Sequence, residues 1–322
     1  MTVATAFFKL IRWPNLVFIA LTQSMFYYLL VVPLFAKYHS FPALTGSLFW
    51  ALLIASVFIA AAGYIINDYF DMNIDQVNKP ERLVVDKIIK RRWAIAWHLM
   101  FSFIGLIISI WISLRIADWH SLLAVFINLL SIIALWLYST TYKRKLLIGN
   151  ILISLLTAWV ILIIYLVNMK SWWMVKIFYE SRDNYEMAST ALFKLTILYA
   201  GFAFIISLIR EVIKDMEDME GDARYGCKTM PIVWGIPATK VFVAVWLIVI
   251  IAALAIVQFY ALQRGWWWNV AYSVSLIILP LMWILQKLYR AKISADYRLL
   301  SNAVKGVMLT GILSMIFFKI YS

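Results

Sequence analysis

Apolar residues fill this chain in runs of about twenty, and the short segments between them collect nearly all of its Lys, Arg, Asp and Glu. A bilayer core of ~30 Å needs roughly 20 residues of helix at 1.5 Å per residue, because no backbone polar group can be left unpaired in lipid. Nine runs meet that length: 14–36, 46–66, 93–114, 120–140, 147–168, 193–213, 239–262, 267–287 and 299–321. They predict an all-α integral membrane protein, with nine transmembrane helices in one bundle and a single domain over 1–322. The ninth run is diluted by Ser301, Asn302 and Lys305. The first follows Lys9 and Arg12 as a signal peptide would, but at about 23 residues it exceeds a signal core of roughly 7–15 and reads as a retained helix. The stretch 170–192 is mixed in polarity and is expected to lie along the membrane interface.

Composition agrees with the pattern: 65% of the residues are hydrophobic and only 14% charged, which excludes an ordinary soluble domain and a disordered chain alike. The formal net charge of +13 changes the picture further. In a membrane protein it suits anionic lipids and phosphorylated substrates, with no need for nucleic acid. Once the spans alternate sides, 19 Lys and Arg fall in one set of loops and 8 in the other, leaving Arg210 and Lys305 near helix ends. By the positive-inside tendency the richer set is cytoplasmic, the N-terminus with it, and the membrane is expected to be the plasma membrane. Trp172, Trp173 and Trp266 to Trp268 then fall at outer boundaries, where indole rings are favoured. A single cysteine, Cys227, excludes an intramolecular disulfide.

Two loops of the basic set repeat one arrangement of carboxylates. The first reads Asn67-Asp68-Tyr69-Phe70-Asp71 and continues to Asp75; the second runs from Asp215 through Asp218 to Asp222. In both, aspartates fall at i, i+3 and i+7, which puts all three on one face of a helix. Asn67 and Glu211 extend the two stripes. Stacked like charges repel, so a cation should compensate them. Oxygen donors without converging His or Cys suit Mg²⁺, which takes one or two carboxylates and completes its shell with water and substrate phosphates. Two such stripes could clamp a diphosphate through Mg²⁺; solvated acidic faces are the plainer alternative. The recurrence four helices later also suggests a duplicated four-helix unit.

Basic residues follow the stripes. Lys79 and Arg82 lie after the first, Lys143 and Arg144 follow Tyr138 in the fourth loop, and Arg224 and Lys228 come after the second. Lys79, Arg82, Lys143 and Lys228 are candidates to hold diphosphate oxygens and neutralise a leaving group. The cluster Lys90 to Arg92 reads instead as a membrane-surface anchor. Cys227 is a poor partner for a hard cation, and His39, His98 and His120 show no ligand spacing.

These residues resemble the UbiA superfamily of intramembrane prenyltransferases. That family carries an N-D-x-x-D-x-x-x-D motif, matched here by Asn67, Asp68, Asp71 and Asp75, and a second D-x-x-D-x-x-x-D motif, matched by Asp215, Asp218 and Asp222. Its N-K-P-x-R element corresponds to Asn78, Lys79, Pro80 and Arg82, and its Tyr-x-x-x-x-Lys loop to Tyr138 and Lys143. One departure is Val84, where many members have Pro soon after the Arg. The run from Arg210 to Asp222 is most similar to the branch that alkylates the glycerol hydroxyl of geranylgeranylglyceryl phosphate; related runs occur in enzymes acting on aromatic acceptors such as dihydroxynaphthoate, hydroxybenzoate or homogentisate.

The resemblance implies Mg²⁺-dependent transfer of a long prenyl group, such as geranylgeranyl, from its diphosphate through an allylic carbocation. Asp68, Asp71, Asp215, Asp218, Lys143 and Tyr138 would be the catalytic group, with the Tyr138 ring facing the cation. Asn67 and the six motif aspartates would hold metal, and Asn15 would orient the acceptor, a lipid phosphate or an aromatic ring. The partners implied are thus the prenyl diphosphate, the acceptor and membrane lipids. An ion-coupled carrier is the alternative of another class, but carriers place their carboxylates at the bilayer midplane, and both stripes here begin at helix ends.

Overall fold

The computed structural model of the chain describes residues 2–78, 84–171 and 182–321. Among the described residues, nine helical segments are long and apolar enough to cross a membrane: Trp13–Lys37, Gly46–Met72, Arg91–Ile116, Trp119–Thr140, Ile148–Asn168, Asp183–Glu217, Gly235–Gln263, Trp267–Arg290 and Ser294–Tyr321. Each lies on one of the nine apolar runs. The helices overrun those runs where polar turns continue past the hydrocarbon. The second is α-helical over Gly46–Asn78 and the sixth over Arg182–Glu217. Residues 182–192 therefore open the sixth helix, and the expectation of an interfacial segment there is corrected. Trp172 and Trp173 lie outside the described residues, as do Lys79, Pro80 and Arg82.

Two crossing helices change pitch part-way. Tyr27–Val31 and Val274–Ile278 are π-helical turns, and each leads directly into a helix with proline in its first turn, Pro33 and Pro280. Proline has no N–H to donate and its ring crowds the carbonyl four residues earlier; a widened turn relieves both. These prolines thus mark local re-windings of continuous spans.

By contact the chain divides into two compact units, Met1–Tyr142 with Trp159–Leu198, and Lys143–Ala158 with Tyr199–Ser322. In the first, a short helix α1 (Val3–Leu10) packs Ala6 and Leu10 onto Ala61, Ile65 and Met72 of the long helix α4 (Gly46–Asn78). Val84, Val85 and Ile89, all nearly sealed from solvent, join the same cluster from a tight loop held by Asp86 N–H donating to the Ile89 carbonyl at 2.8 Å. The apolar side chain at position 84 thus has a packing role. In the second unit the core runs along Ile206, Ile209, Val212 and Ile213 to Leu281, Ile284, Leu300 and Val304. Large apolar side chains such as Phe103, Leu122, Phe126, Ile256 and Phe259 face outward, as a lipid-solvated surface requires.

Close helix approach depends on glycine. A Cβ on Gly105 of α5 (Arg91–Ile116) would lie 2.7 Å from Ile59 Cγ1 and 3.1 Å from the Ala55 carbonyl oxygen, so backbone blocks it as well as side chain. Small residues at such crossings replace the hydrophobic drive that lipid removes. Gly105→Leu should therefore cost about 1–3 kcal/mol and lower the thermal midpoint in detergent. Gly306→Ala, whose Cβ meets nothing within 4 Å, is the control and should leave it unchanged or slightly raised.

At one end of the first unit, the turn between α5 and α6 (Trp119–Thr140) is centred on Asp118, only 5% exposed. Its carboxylate accepts four hydrogen bonds: from Ser171 N–H at 2.8 Å, Ser171 Oγ at 2.7 Å, His120 N–H at 3.0 Å and His120 Nδ1 at 2.7 Å. Burial pushes this carboxyl up, and the donors from Ser171 and His120 outweigh it, leaving the group below the usual carboxylate range. His120, to which the sequence assigned no role, is thus a structural partner; His98 is another, with Nδ1 2.9 Å from the Ala62 carbonyl oxygen.

Candidate active site

In the first unit the carboxylates stand on the last turns of α4, not in a loop as expected. The helical spacing of Asn67 and Asp71 is realised directly, since Asn67 Nδ2 donates to Asp71 Oδ2 at 2.8 Å. Asp71 is 9% exposed, and Asn67 Oδ1 is buried with no hydrogen-bond partner among the described residues. Asp75 continues the same helix, but its side chain lies outside the description, as does that of Asn78.

Asp68 receives the guanidinium of Arg12, Nη2 to Oδ1 at 2.6 Å, and that guanidinium also lies 5.4 Å from the Tyr64 ring centre. Arg12 sits where α1 ends and α2 (Trp13–Phe26) begins, in a left-handed conformation with φ 51° and ψ 52°. In the sequence Arg12 is one basic loop residue among many. Its partner lies 56 positions along the chain, a pairing that no local pattern reveals.

The second unit departs from the expected stripe. The helix Arg182–Glu217, here α8, stops at Asp218, whose φ of −96° and ψ of 5° break it before a six-residue helix, α9 (Met219–Arg224). Asp215, Asp218 and Asp222 therefore do not lie on one continuous helix. The break stays hydrogen-bonded: Asp218 N–H donates to the Lys214 carbonyl at 2.9 Å and Asp222 N–H to that of Asp218 at 3.2 Å. Its far side is fixed by Ser294, whose Oγ donates to the Glu217 carbonyl at 3.0 Å, and by Arg298, whose Nε is 3.1 Å from Glu217 Oε1.

Asn150 Nδ2 donates to Asp215 Oδ2 at 2.8 Å, a second contact that spacing alone did not reveal. The helix that carries it, α7 (Ile148–Asn168), begins as α2 does. Leu147, with φ 59°, precedes Ile148-Gly149-Asn150, just as Arg12, with φ 51°, precedes Trp13-Pro14-Asn15. Asn15 and Asn150 are thus each the third residue of a helix entered through a left-handed residue. The match lies in backbone conformation that neither Arg12 nor Leu147 announces in the sequence, and it supports the repeat suggested by the aspartates.

Other candidates gather near the second motif. Lys228 N–H donates to the Arg144 carbonyl at 2.8 Å, and Cys227 N–H to the Asp222 carbonyl at 3.0 Å. Lys143, in the 3₁₀ turn Tyr142–Arg144, acts with Arg144, Asp222 and Asp215 on the buried Cys227 thiol. Burial pushes that thiol up, the two carboxylates add to this and the two cations oppose it, so Cys227 is no thiolate at neutral pH. Tyr138 is half-buried in the last turns of α6.

Among the described residues no three His, Cys, Asp or Glu converge into a preformed metal cage. Mg²⁺ itself draws only one or two carboxylates from protein. The buried, unpartnered Asn67 Oδ1 beside Asp71 is an acceptor that such a cation, or its water, would satisfy.

Among curated proteins the chain is 28% identical to a digeranylgeranylglyceryl phosphate synthase of Sulfurisphaera tokodaii, over 74% of this chain and 73% of that one. Alignments with other synthases of that name reach down to 52% of the relative's length. A solved structure described as a digeranylgeranylglyceryl phosphate synthase in membranes superimposes with a TM-score of 0.61 at 21% identity, covering 98% of this chain and 99% of the other. A UbiA homologue from Archaeoglobus fulgidus bound to GPP and Mg²⁺ gives a TM-score of 0.54 at 13% identity, covering 96% and 99%. These likenesses establish a shared fold. Residues 5–309 match the UbiA prenyltransferase family, and the chain therefore belongs to that family, as an integral membrane prenyltransferase.

Proposed function

We propose that the protein transfers a geranylgeranyl group from its diphosphate to the glycerol hydroxyl of geranylgeranylglyceryl phosphate, with residues 1–322 working as one domain. The observation that carries this reading is the pair of all-oxygen carboxylate motifs, in a chain whose curated relatives are named as synthases of that ether lipid. Asn67, Asp68, Asp71 and Asp75 would hold Mg²⁺ on α4, and Asp215, Asp218 and Asp222 would do so at the α8–α9 break. Bound Mg²⁺ supplies positive charge that stabilises the departing diphosphate.

The chain's own residues do the rest. Lys79, Arg82, Lys143 and Lys228 bind phosphate oxygens, an interaction that strengthens as charge collects on the leaving group. Tyr138 presents its ring to the allylic cation, and Asn15 orients the acceptor. Apolar side chains of the spans keep water from the carbocation. The excess of Lys and Arg in one set of loops supports a cytoplasmic site in the plasma membrane.

The test is incubation of purified protein with Mg²⁺, geranylgeranyl diphosphate and a panel of phosphoglycerol and aromatic acceptors, with products identified by mass spectrometry. The phosphoglycerol ether is the product expected. Prenylation of dihydroxynaphthoate alone would overturn the acceptor while leaving prenyl transfer intact.

A further inference from the structure

Two cations of the second unit take no part in the site described above. Arg210 lies on α8, and Lys305 on α14 (Ser294–Leu313), both within membrane-crossing segments. The helices run antiparallel in a register fixed at both ends. Ser294 Oγ bonds to the Glu217 carbonyl at one end, while Gly311 meets the Phe202 ring and Tyr199 OH lies 3.5 Å from Ser314 Oγ at the other. Counting from these contacts, Arg210 stands level with Asn302 and Ala303, so Lys305 is ~3–5 Å away along the axis. Side chains lean toward the N-terminus of their own helix; in an antiparallel pair the two long side chains lean into the same layer.

Two cations at neighbouring levels of crossing helices call for an anionic counterpart. The carboxylate of Glu211 lies 2.9 Å from the Arg210 guanidinium and 3.2 Å from the Lys214 ammonium. Arg210 Nε is moreover buried without a hydrogen-bond partner among the described residues. Ionisable groups held in crossing helices mark substrate paths, because lipid exposure alone would select against them.

The level is informative too. At 36 residues α8 is ~54 Å long against a hydrocarbon core of ~30 Å. Even division of the surplus puts the hydrocarbon boundary about eight residues from Glu217, at the level of Ile209 and Arg210. Asp215 is five residues further on, ~7.5 Å along the axis.

We infer that Arg210 and Lys305 form an anion subsite that takes the phosphate of the acceptor lipid and so sets acceptor specificity. This rests on the proposed function: the site selects an acceptor that carries a phosphate on its glycerol. It needs no metal and shares no residue with the groups assigned to the diphosphate.

The test is steady-state kinetics of Arg210→Gln and Lys305→Gln in nanodiscs, with each substrate varied in turn and the content of anionic phospholipid varied separately. Each variant should raise the acceptor KM at least tenfold and leave the KM for prenyl diphosphate unchanged, and Lys305→Arg should restore most of the loss. Equal thermal midpoints would separate this from misfolding. An unchanged acceptor KM, an equal rise in both KM values, or a loss that follows only the withdrawal of anionic phospholipid would each overturn the subsite, the last by assigning it to bulk lipid. Wild-type protein in the same assay reports on the parent reading independently, since absence of turnover with the phosphoglycerol acceptor removes that reading before any variant is compared.

Discussion

Asn in place of Asp68, Asp71, Asp215 or Asp218 is expected to lower turnover at least tenfold each, about 1.4 kcal/mol of barrier or more, and metal stripping with EDTA should abolish it. Asp71 and Asp215 are the most informative of these. Each accepts a hydrogen bond from an asparagine amide, Asn67 or Asn150, at 2.8 Å. Asn at either position can still accept that bond through its amide oxygen, so the local structure is kept while the charge that attracts a cation is lost. Metal titration of product formation checks it: the Asn variants should need more Mg²⁺ to reach half of a lowered maximum. Wild-type rates in two of them, or full turnover after chelation, would refute the metal assignment.

The second large effect concerns stability and involves none of the motif carboxylates. Asp118→Ala removes the acceptor of four hydrogen bonds and leaves buried donors on Ser171 and His120 unsatisfied. A loss of about 2–3 kcal/mol is expected. The pH dependence has a definite sign. Because the folded-state carboxyl lies below its ordinary range, its contribution is present above the unfolded value near ~3.9 and is lost as pH falls through the folded value. Thermal midpoints of wild type and Asp118→Asn should therefore differ at neutral pH and converge in acid. A gap that persists unchanged to the acid limit would show that the carboxylate charge contributes nothing.

Much of this was legible before the structure. Hydropathy located all nine crossing helices because lipid imposes a length and a composition that few soluble segments imitate. It could not locate helix ends, since it senses the hydrocarbon edge whereas α4 and α8 continue as polar helix beyond it. The break at Asp218 was hidden for another reason. No Gly or Pro stands between Met216 and Met219, so local propensity is silent, and the interruption coincides with contacts from Ser294 and Arg298, distant in sequence. The motif aspartates were visible as a spacing. Arg12 and Asn150, which hold two of them, were visible only as residue types, because a pairing across 56 or 65 positions leaves no periodic trace. Pro33 and Pro280 were present as signals, but a π turn beside a proline is a packing outcome that composition does not announce.

The left-handed backbone at Arg12 bears on how this protein would respond to engineering. A residue with a Cβ held at φ 51° is strained where glycine would be at ease. Any search for thermostable variants guided by backbone preference would nominate Arg12→Gly, or Arg12→Asn, among its first substitutions. Such a variant would relax the entry to α2 and at the same stroke withdraw the guanidinium from Asp68. Robustness and chemistry are in direct competition at this one position, and a screen scored on heat resistance alone would select against the enzyme it was meant to improve.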